Sequence, residues 1–238
     1  AEKRLAEQSF RKFSWNPYVV PYGASGPTGD PETQKEAFFA KCPSVKGRRY
    51  LLFLGRIHRK KGCDLLVDAF AKVAASDPAL DLVMAGPDSQ NWSAKLQQTA
   101  VRAGVANRIH WPGMIVGDAK WGAFYASEAF ILPSHQENFG IAVAEALGCG
   151  KPVLLADKVN IAEDIASEGA GLMELDTPEG TLRLLERWIG MTVREREEMA
   201  DRAYRCFHTH YDMRENAKAI IKLFENATVP APRIRSWK

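Results

Sequence analysis

Cysteine is scarce and scattered. Cys42, Cys63, Cys149 and Cys206 form no CxxC pair and no metal-ligand spacing, which argues against a disulfide framework and a structural zinc site. Reduced thiols in a cytosolic protein fit that pattern. No apolar run reaches membrane-spanning length, and the opening AEKRLAEQSF has no signal-peptide apolar core. Excess charge is missing too: 32 Lys and Arg against 29 Asp and Glu leave a formal net charge of +3, too small to argue for nucleic acid. Internal repeats and low-complexity tracts are absent. The chain begins with Ala1 inside a charged, helix-like stretch and reads as a fragment or processed piece.

What the 238 residues do contain is a regular alternation, enough for one large α/β domain or for one and a half smaller ones. Residues 1–13 read as an amphipathic helix, 18–20 as a short strand, and the Gly- and Pro-rich ASGPTGDP from Ala24 to Pro31 as a linker. Glu32 to Ala40 suggests a short helix, and Lys41 to Arg49 a polar loop. From there Tyr50 to Leu54 reads as an apolar strand, and Leu80 to Ala85, Arg108 to Trp111, Ala129 to Leu132, Val153 to Ala156 and Gly171 to Leu175 read as further strands. Helix-period segments separate them: Cys63 to Ala75, Ser93 to Ala103, Ala119 to Ser127, Ile141 to Leu147 and Ile161 to Ser167. Three helices close the chain, at Pro178 to Met191, Arg194 to His208 and Met213 to Ala227. Strands alternating with helices imply right-handed crossovers and a doubly wound, Rossmann-like parallel sheet covered on both faces. Ligands bind such sheets outside the carboxyl ends of the strands, so the bends after Leu54, Ala85, Trp111 and Leu132 share one rim.

The most informative stretch is LPSHQENFGIAVAEALGCG, Leu132 to Gly150. A strand runs into a polar bend carrying Glu137; Phe139-Gly140 then opens a helix that carries Glu145, eight residues after the first carboxylate. The first amides of a helix lack intrahelical acceptors and, with the helix dipole, make an anion site. Gly140 lets an anion approach the backbone closely. Ionised carboxylates on either side are acceptors only and suit hydroxyl groups. Phosphate in the middle with hydroxyls on both sides describes a nucleotide sugar. The competing reading is a strand-loop-helix with solvated glutamates.

On the same rim, GRIHRKKG brings Arg56 and Lys61 toward the Gly140 helix mouth. Arg offers fork-shaped donors for phosphate oxygens, and Lys a compact charge. Aimed at a departing diphosphate, they stabilise the charge that develops as a glycosidic bond breaks, without a metal. Each charge-assisted hydrogen bond contributes about 1.5–3 kcal/mol. Arg59 and Lys60 read as a solvated turn. His135 reads as incidental or as a lining residue of the sugar pocket. His208 and His210 lack the acidic or cysteine company of a metal site, and the HRKK run lacks the interleaved aromatics of a nucleic-acid surface.

In chain order, GRIHRKKG (Gly55 to Gly62), AGP (Ala85 to Pro87), WPG (Trp111 to Gly113) and LPSHQENFGIAVAEALGCGKPV (Leu132 to Val153) resemble the donor half of glycosyltransferase family 4 (group 1). These are retaining GT-B transferases that use nucleotide sugars. The resemblance covers about Tyr18 to Phe224. It implies that Arg56 and Lys61 grip the donor diphosphate and that Glu137 faces the transferred sugar. It also puts the amides of Asn138, Phe139, Gly140 and Ile141 near sugar and phosphates, and gives Glu145 the ribose hydroxyls. Met114 or Ile115 falls where backbone atoms read the base; Gly86 and His135 complete the candidate set. Asn138 stands where the family often has Gly.

The same resemblance implies a remnant of a first GT-B domain and linker at 1–28. The donor domain then spans 29–207, with a C-terminal crossing helix and tail at 208–238. The missing N-terminal domain would carry the acceptor site, so the fragment alone is expected to be inactive. Expected partners are a UDP-, GDP- or ADP-sugar, that first domain, and a saccharide or lipid acceptor. No cofactor, metal, nucleic acid or transmembrane segment is expected. The expected location is cytoplasmic, with peripheral attachment at the inner membrane only through the first domain. A related GT-B phosphorylase would show a pyridoxal-phosphate lysine site, and no such motif is evident. A non-catalytic nucleotide-sugar-binding subunit of a split transferase, or a sensor, remains the alternative.

Overall fold

The computed structural model describes residues 22–88 and 90–226. The helix expected at 1–13, the strand at 18–20 and the tail after 226 lie outside that range. Within it, six strands form one parallel sheet: β1 (Arg49–Leu54), β2 (Leu80–Ala85), β3 (Ile109–Gly113), β4 (Ala129–Leu132), β5 (Val153–Ala156) and β6 (Gly171–Glu174), in the order β3-β2-β1-β4-β5-β6. Strands β2, β4 and β5 are buried along their whole length, which is why β4 and β5 read as continuous apolar runs and β2 is broken only by Asp81.

Helices α1 (Pro31–Lys41), α2 (Cys63–Val73), α3 (Trp92–Arg102), α4 (Gly117–Ala126), α5 (Ile141–Gly148) and α6 (Ala162–Ser167) surround and connect the strands. Pro31 at the first helical position, after the Asp30 carboxylate cap, starts α1. That helix lies on α4 so closely that a Cβ at Gly122 would sit 1.9 Å from the Gln34 carbonyl oxygen. Fully buried Tyr50, Phe53, Phe70, Phe124, Phe130 and Trp188 fill the core, each large apolar side chain contributing about 1.5–3 kcal/mol by leaving water.

Three helices follow β6: α7 (Pro178–Gly190), α8 (Val193–Cys206) and α9 (Met213–Asn226). A Thr192/Glu195 capping box sets the start of α8. The helix expected to run to His208 ends instead at Cys206. A wider π turn, Phe207–Tyr211, follows and buries Phe207 and Tyr211. The stretch read as a linker is docked: Ala24 donates to the Tyr211 carbonyl at 2.9 Å and accepts from Met213 at 3.2 Å. Strand β3, expected to close at Pro112-Gly113, includes both residues, and the Gly113 carbonyl accepts from Gly86 at 2.8 Å.

At the amino ends of the strands the fully buried Asp81 accepts from Arg48 Nη2 (2.8 Å) and Arg108 Nε (3.2 Å), and pairs with His110 Nε2 (2.8 Å). Burial alone would raise this carboxyl, but hydrogen bonds from Arg48, His110 and Arg108 outweigh it and hold it below its ordinary value.

The strand order also fixes where a ligand can sit. The chain steps outward from β1 to β3, then returns to β4 and steps outward on the other side. Neighbours β1 and β4 therefore send their connections in opposite directions and leave a crevice at their carboxyl ends.

Candidate functional site

Two bends meet at that crevice. After β1, Gly55 donates to the Ala85 carbonyl (3.0 Å) and Ile57 to Pro87 (2.9 Å), which ties this bend to the one after β2. Gly86 makes that contact possible: its φ is +140°, and a Cβ there would lie 1.9 Å from the Gly55 carbonyl oxygen. A short turn, Arg59–Lys61, follows and ends at left-handed Gly62, which packs on the Pro133 carbonyl. The bend after β4 is fastened to the same turn, because the His135 amide (3.0 Å) and the buried Ser134 hydroxyl (2.9 Å) both donate to the Lys60 carbonyl. Lys61 is thereby held against Glu137, and the two form an ion pair.

Glu137 is fixed from the other side as well. Its amide donates to Lys158 (3.1 Å), and its carbonyl accepts from Asn160 (3.0 Å). The chain then turns through Gly140, at φ +77°, into α5, whose N-terminus has no side-chain cap. Its first amides stand at the wall of a cavity of about 480 Å³, lined by Tyr22, Leu54, Gly55, Arg56, Lys61, Leu132 and the run from Glu137 to Ala142. Of the residues singled out from the sequence, Arg56, Lys61, Glu137, Asn138, Phe139, Gly140 and Ile141 come together here. Arg56 is exposed and makes no ion pair among the described residues. Phe139 packs edge-on against Tyr22 at 4.8 Å and Tyr211 at 5.8 Å.

The remaining candidates lie around this wall rather than in it. Glu145 is one turn beyond Ile141 on α5, its side chain largely buried, and Lys120 of α4 donates to its Oε1 at 2.7 Å. His135 pairs through Nδ1 with Asp176 Oδ1 at 2.7 Å. Met114 is exposed and Ile115 buried in the bend after β3. Gly86 underlies the cavity floor through its contact with Gly55.

Sequence reasoning passed over Lys120, Asp176 and Tyr22. A lone lysine in GDAKWGAFYA was the available hint for Lys120; Tyr22 sat in a segment read as the end of another domain. Beside the site, Asp88 caps α3 through the amides of Trp92 (2.9 Å) and Ser93 (2.7 Å). Desolvation opposes its ionisation, but hydrogen bonds from Ser93, Trp92 and Gln90 win and lower its pKa to about 2.

A larger depression of about 710 Å³ lies at the amino ends of the strands, among Arg49, Glu128, Lys151, Trp188 and Arg196. Its charges are largely spent on one another: Glu128 pairs with Arg49 and Arg196 and accepts from the Trp188 indole at 3.3 Å. The smaller cavity has the uncapped helix mouth and an unpaired arginine, and it sits at the topological switch point. It is the better ligand site on physical grounds. Among the described residues no cluster of three or more His, Cys, Asp or Glu is placed to hold a metal ion, and no helix is long and apolar enough to cross a membrane.

Comparison with known proteins agrees with this architecture. The family described as "Glycosyl transferases group 1" matches residues 34–205. A D-inositol 3-phosphate glycosyltransferase from Segniliparus rotundus is 33% identical over 143 residues, which is 58% of this chain and 31% of that protein. The C-terminal domain of a group 1 glycosyl transferase, LpcC from Francisella tularensis, superposes with a TM-score of 0.64 at 21% identity, over 82% of this chain and 97% of that one. Anabaena Alr3699/HepE, solved in complex with UDP and glucose, superposes with a TM-score of 0.72 at 18% identity, over 88% of this chain and 57% of that one. Matches to curated relatives thus span about a third of their length. The chain belongs to the group 1 glycosyl transferases, and its sheet is that of the C-terminal domain of a GT-B enzyme.

Proposed function

We propose that the chain is the donor-binding domain of a retaining hexosyltransferase that takes a UDP-, GDP- or ADP-sugar and glycosylates a saccharide or lipid hydroxyl. One observation carries the reading: two cationic side chains and an uncapped helix N-terminus border a single cavity at the switch point of the sheet. Arg56, Lys61 and the amides of Gly140 and Ile141 are assigned to the diphosphate. Glu145 takes the ribose hydroxyls, and the backbone at Met114 and Ile115 the base. Glu137 faces the sugar with Asn138 and Phe139, and His135 stands behind the sugar side with Asp176. The UDP bound in the Anabaena neighbour fits a nucleotide-sugar donor, and the name of the Segniliparus relative fits glycosyl transfer.

In the reaction the bond from the anomeric carbon to the diphosphate oxygen breaks and its electron pair leaves with the diphosphate. Cations and helix amides fixed around that group stabilise the charge it gains, with little reorganisation. Arrival of the diphosphate draws Lys61 away from Glu137. The freed carboxylate then orients sugar hydroxyls and opposes the positive charge at the anomeric carbon. The acceptor hydroxyl attacks from the face the diphosphate leaves, within a short-lived ion pair. Its proton passes to a departing phosphate oxygen, and configuration is retained. Acceptor recognition falls to a preceding domain. Calorimetry with UDP, GDP and ADP tests the assignment: at least one binds, and Arg56→Ala and Glu145→Ala each weaken it tenfold or more. No binding by any of the three, or unchanged affinity in both variants, refutes it.

A further inference from the structure

Lys120 has no place in the reading so far, yet it holds one of its key groups. It is the fourth residue of α4, on a different element from Glu145 and 25 positions before it. Its ammonium sits 3.9 Å from the centre of the Trp121 ring and donates to Glu145 Oε1 at 2.7 Å. Trp121 in turn packs on buried Phe124, ring centres 6.2 Å apart. The lysine is thus located by an aromatic face anchored in the core, and it locates the carboxylate. The Lys120 and Glu145 side chains are 23% and 14% exposed, so solvent screens the pair less than it would a surface ion pair.

The consequence is directional. With Oε1 engaged by Lys120, Glu145 Oε2 accepts no hydrogen bond from any described residue and is left to take a ligand donor. Glu145 lies one helical turn past Ile141, whose amide is at the cavity wall. A diphosphate at the helix mouth therefore puts the adjoining ribose within a turn of Oε2. An unbraced glutamate would have to give up rotamer freedom on binding; the braced one has already done so.

We propose that Lys120 is a positioning residue for nucleotide recognition: it fixes Glu145 so that the site distinguishes a ribose with its vicinal hydroxyls from a sugar lacking them. This rests on the assignment of the ribose to Glu145 made above. Nothing in it requires Lys120 to touch the ligand.

The test compares a ribonucleoside diphosphate with its 2′,3′-dideoxy counterpart by calorimetry, using whichever of UDP, GDP or ADP the wild-type chain binds best. Wild type is expected to prefer the ribonucleotide by tenfold or more, and Glu145→Ala to bring the ratio close to one. Lys120→Met should cut the ratio several-fold through weaker ribonucleotide binding, with dideoxynucleotide affinity close to wild type, and Lys120→Arg should restore most of the preference. Thermal unfolding of each variant checks that the domain stays folded. If Lys120→Met keeps the full preference while Glu145→Ala loses it, the positioning role is wrong and the ribose assignment stands. If Lys120→Met weakens both nucleotides equally, Lys120 acts elsewhere in the site or on the fold, and the proposal is again wrong. If Glu145→Ala retains the preference, the ribose assignment itself falls.

Discussion

Replacing Glu137 by glutamine should tighten, not weaken, the binding of a bare nucleoside diphosphate. Lys61 is engaged by the Glu137 carboxylate in the unliganded protein, and the two side chains are only 17% and 19% exposed. A diphosphate at the helix mouth must take Lys61 from that partner. Hydrogen bonds to charged groups contribute about 1.5–3 kcal/mol, and each 1.4 kcal/mol is tenfold in affinity. Solvent reaches nearly a fifth of each side chain, which favours the low end. Glu137→Gln removes the competing charge at nearly constant shape, so UDP, GDP or ADP should bind about tenfold more tightly. In the proposed reaction transfer should fall, because the carboxylate assigned to oppose the anomeric charge is gone. Calorimetry at fixed, low ionic strength reads the first effect, since added salt screens the phosphate as well. Unchanged or weakened diphosphate binding in Glu137→Gln would refute the idea that Glu137 and the ligand compete for Lys61.

Two further outcomes concern the frame around the site. Gly140→Ala forces a side chain into left-handed backbone at φ +77°, with its Cβ 3.0 Å from Val143 Cγ2 and 3.2 Å from Glu137 Cγ. It should cost about 1–2 kcal/mol in urea unfolding and weaken diphosphate binding, whereas Gly190→Ala, in the last turn of α7 with no atom within 4 Å of its Cβ, should stabilise by about 0.5–1 kcal/mol. Asp81→Asn leaves Arg48, Arg108 and His110 without their shared carboxylate and should destabilise by about 3 kcal/mol at pH 7. Because the folded pKa of Asp81 lies below its unfolded value, its contribution is present above the unfolded pKa and disappears as pH falls through the folded one. The gap between wild type and variant should therefore shrink on acidification below about pH 4; a gap that stays constant or grows in acid contradicts the network.

Most of the sheet was legible in the sequence because a parallel sheet buries both faces and leaves predominantly apolar runs; β2, β4 and β5 begin and end where those runs do, with Asp81 the one charged residue within them. The rim could be located for the same reason, since strand ends and an uncapped Gly140 helix are local features. What the sequence hid was non-local. Lys120 and Glu145 belong to helices on either side of β4, and no spacing rule joins them. The same holds for His135 and Asp176, 41 positions apart. The π turn at Phe207–Tyr211 departs from helical periodicity because burying both aromatic rings against Gly148 and Phe139 outweighs local preference. The docking of the Ala24 segment on Tyr211 and Met213 was not legible, because Gly and Pro mark irregular backbone without showing whether it is docked. Gly86 was picked out by its motif, yet the visible demand on it is the close approach of the Gly55 carbonyl.

The most direct measurement is a crystal structure of this chain with a bound nucleoside diphosphate. The account predicts phosphate oxygens within hydrogen-bonding distance of Arg56, Lys61 and the amides at Gly140 and Ile141, with Lys61 released from Glu137 and the ribose on Glu145 Oε2. A diphosphate seated anywhere else, such as the depression beside Glu128 and Lys151, or one at the rim with Lys61 still paired to Glu137, would contradict it.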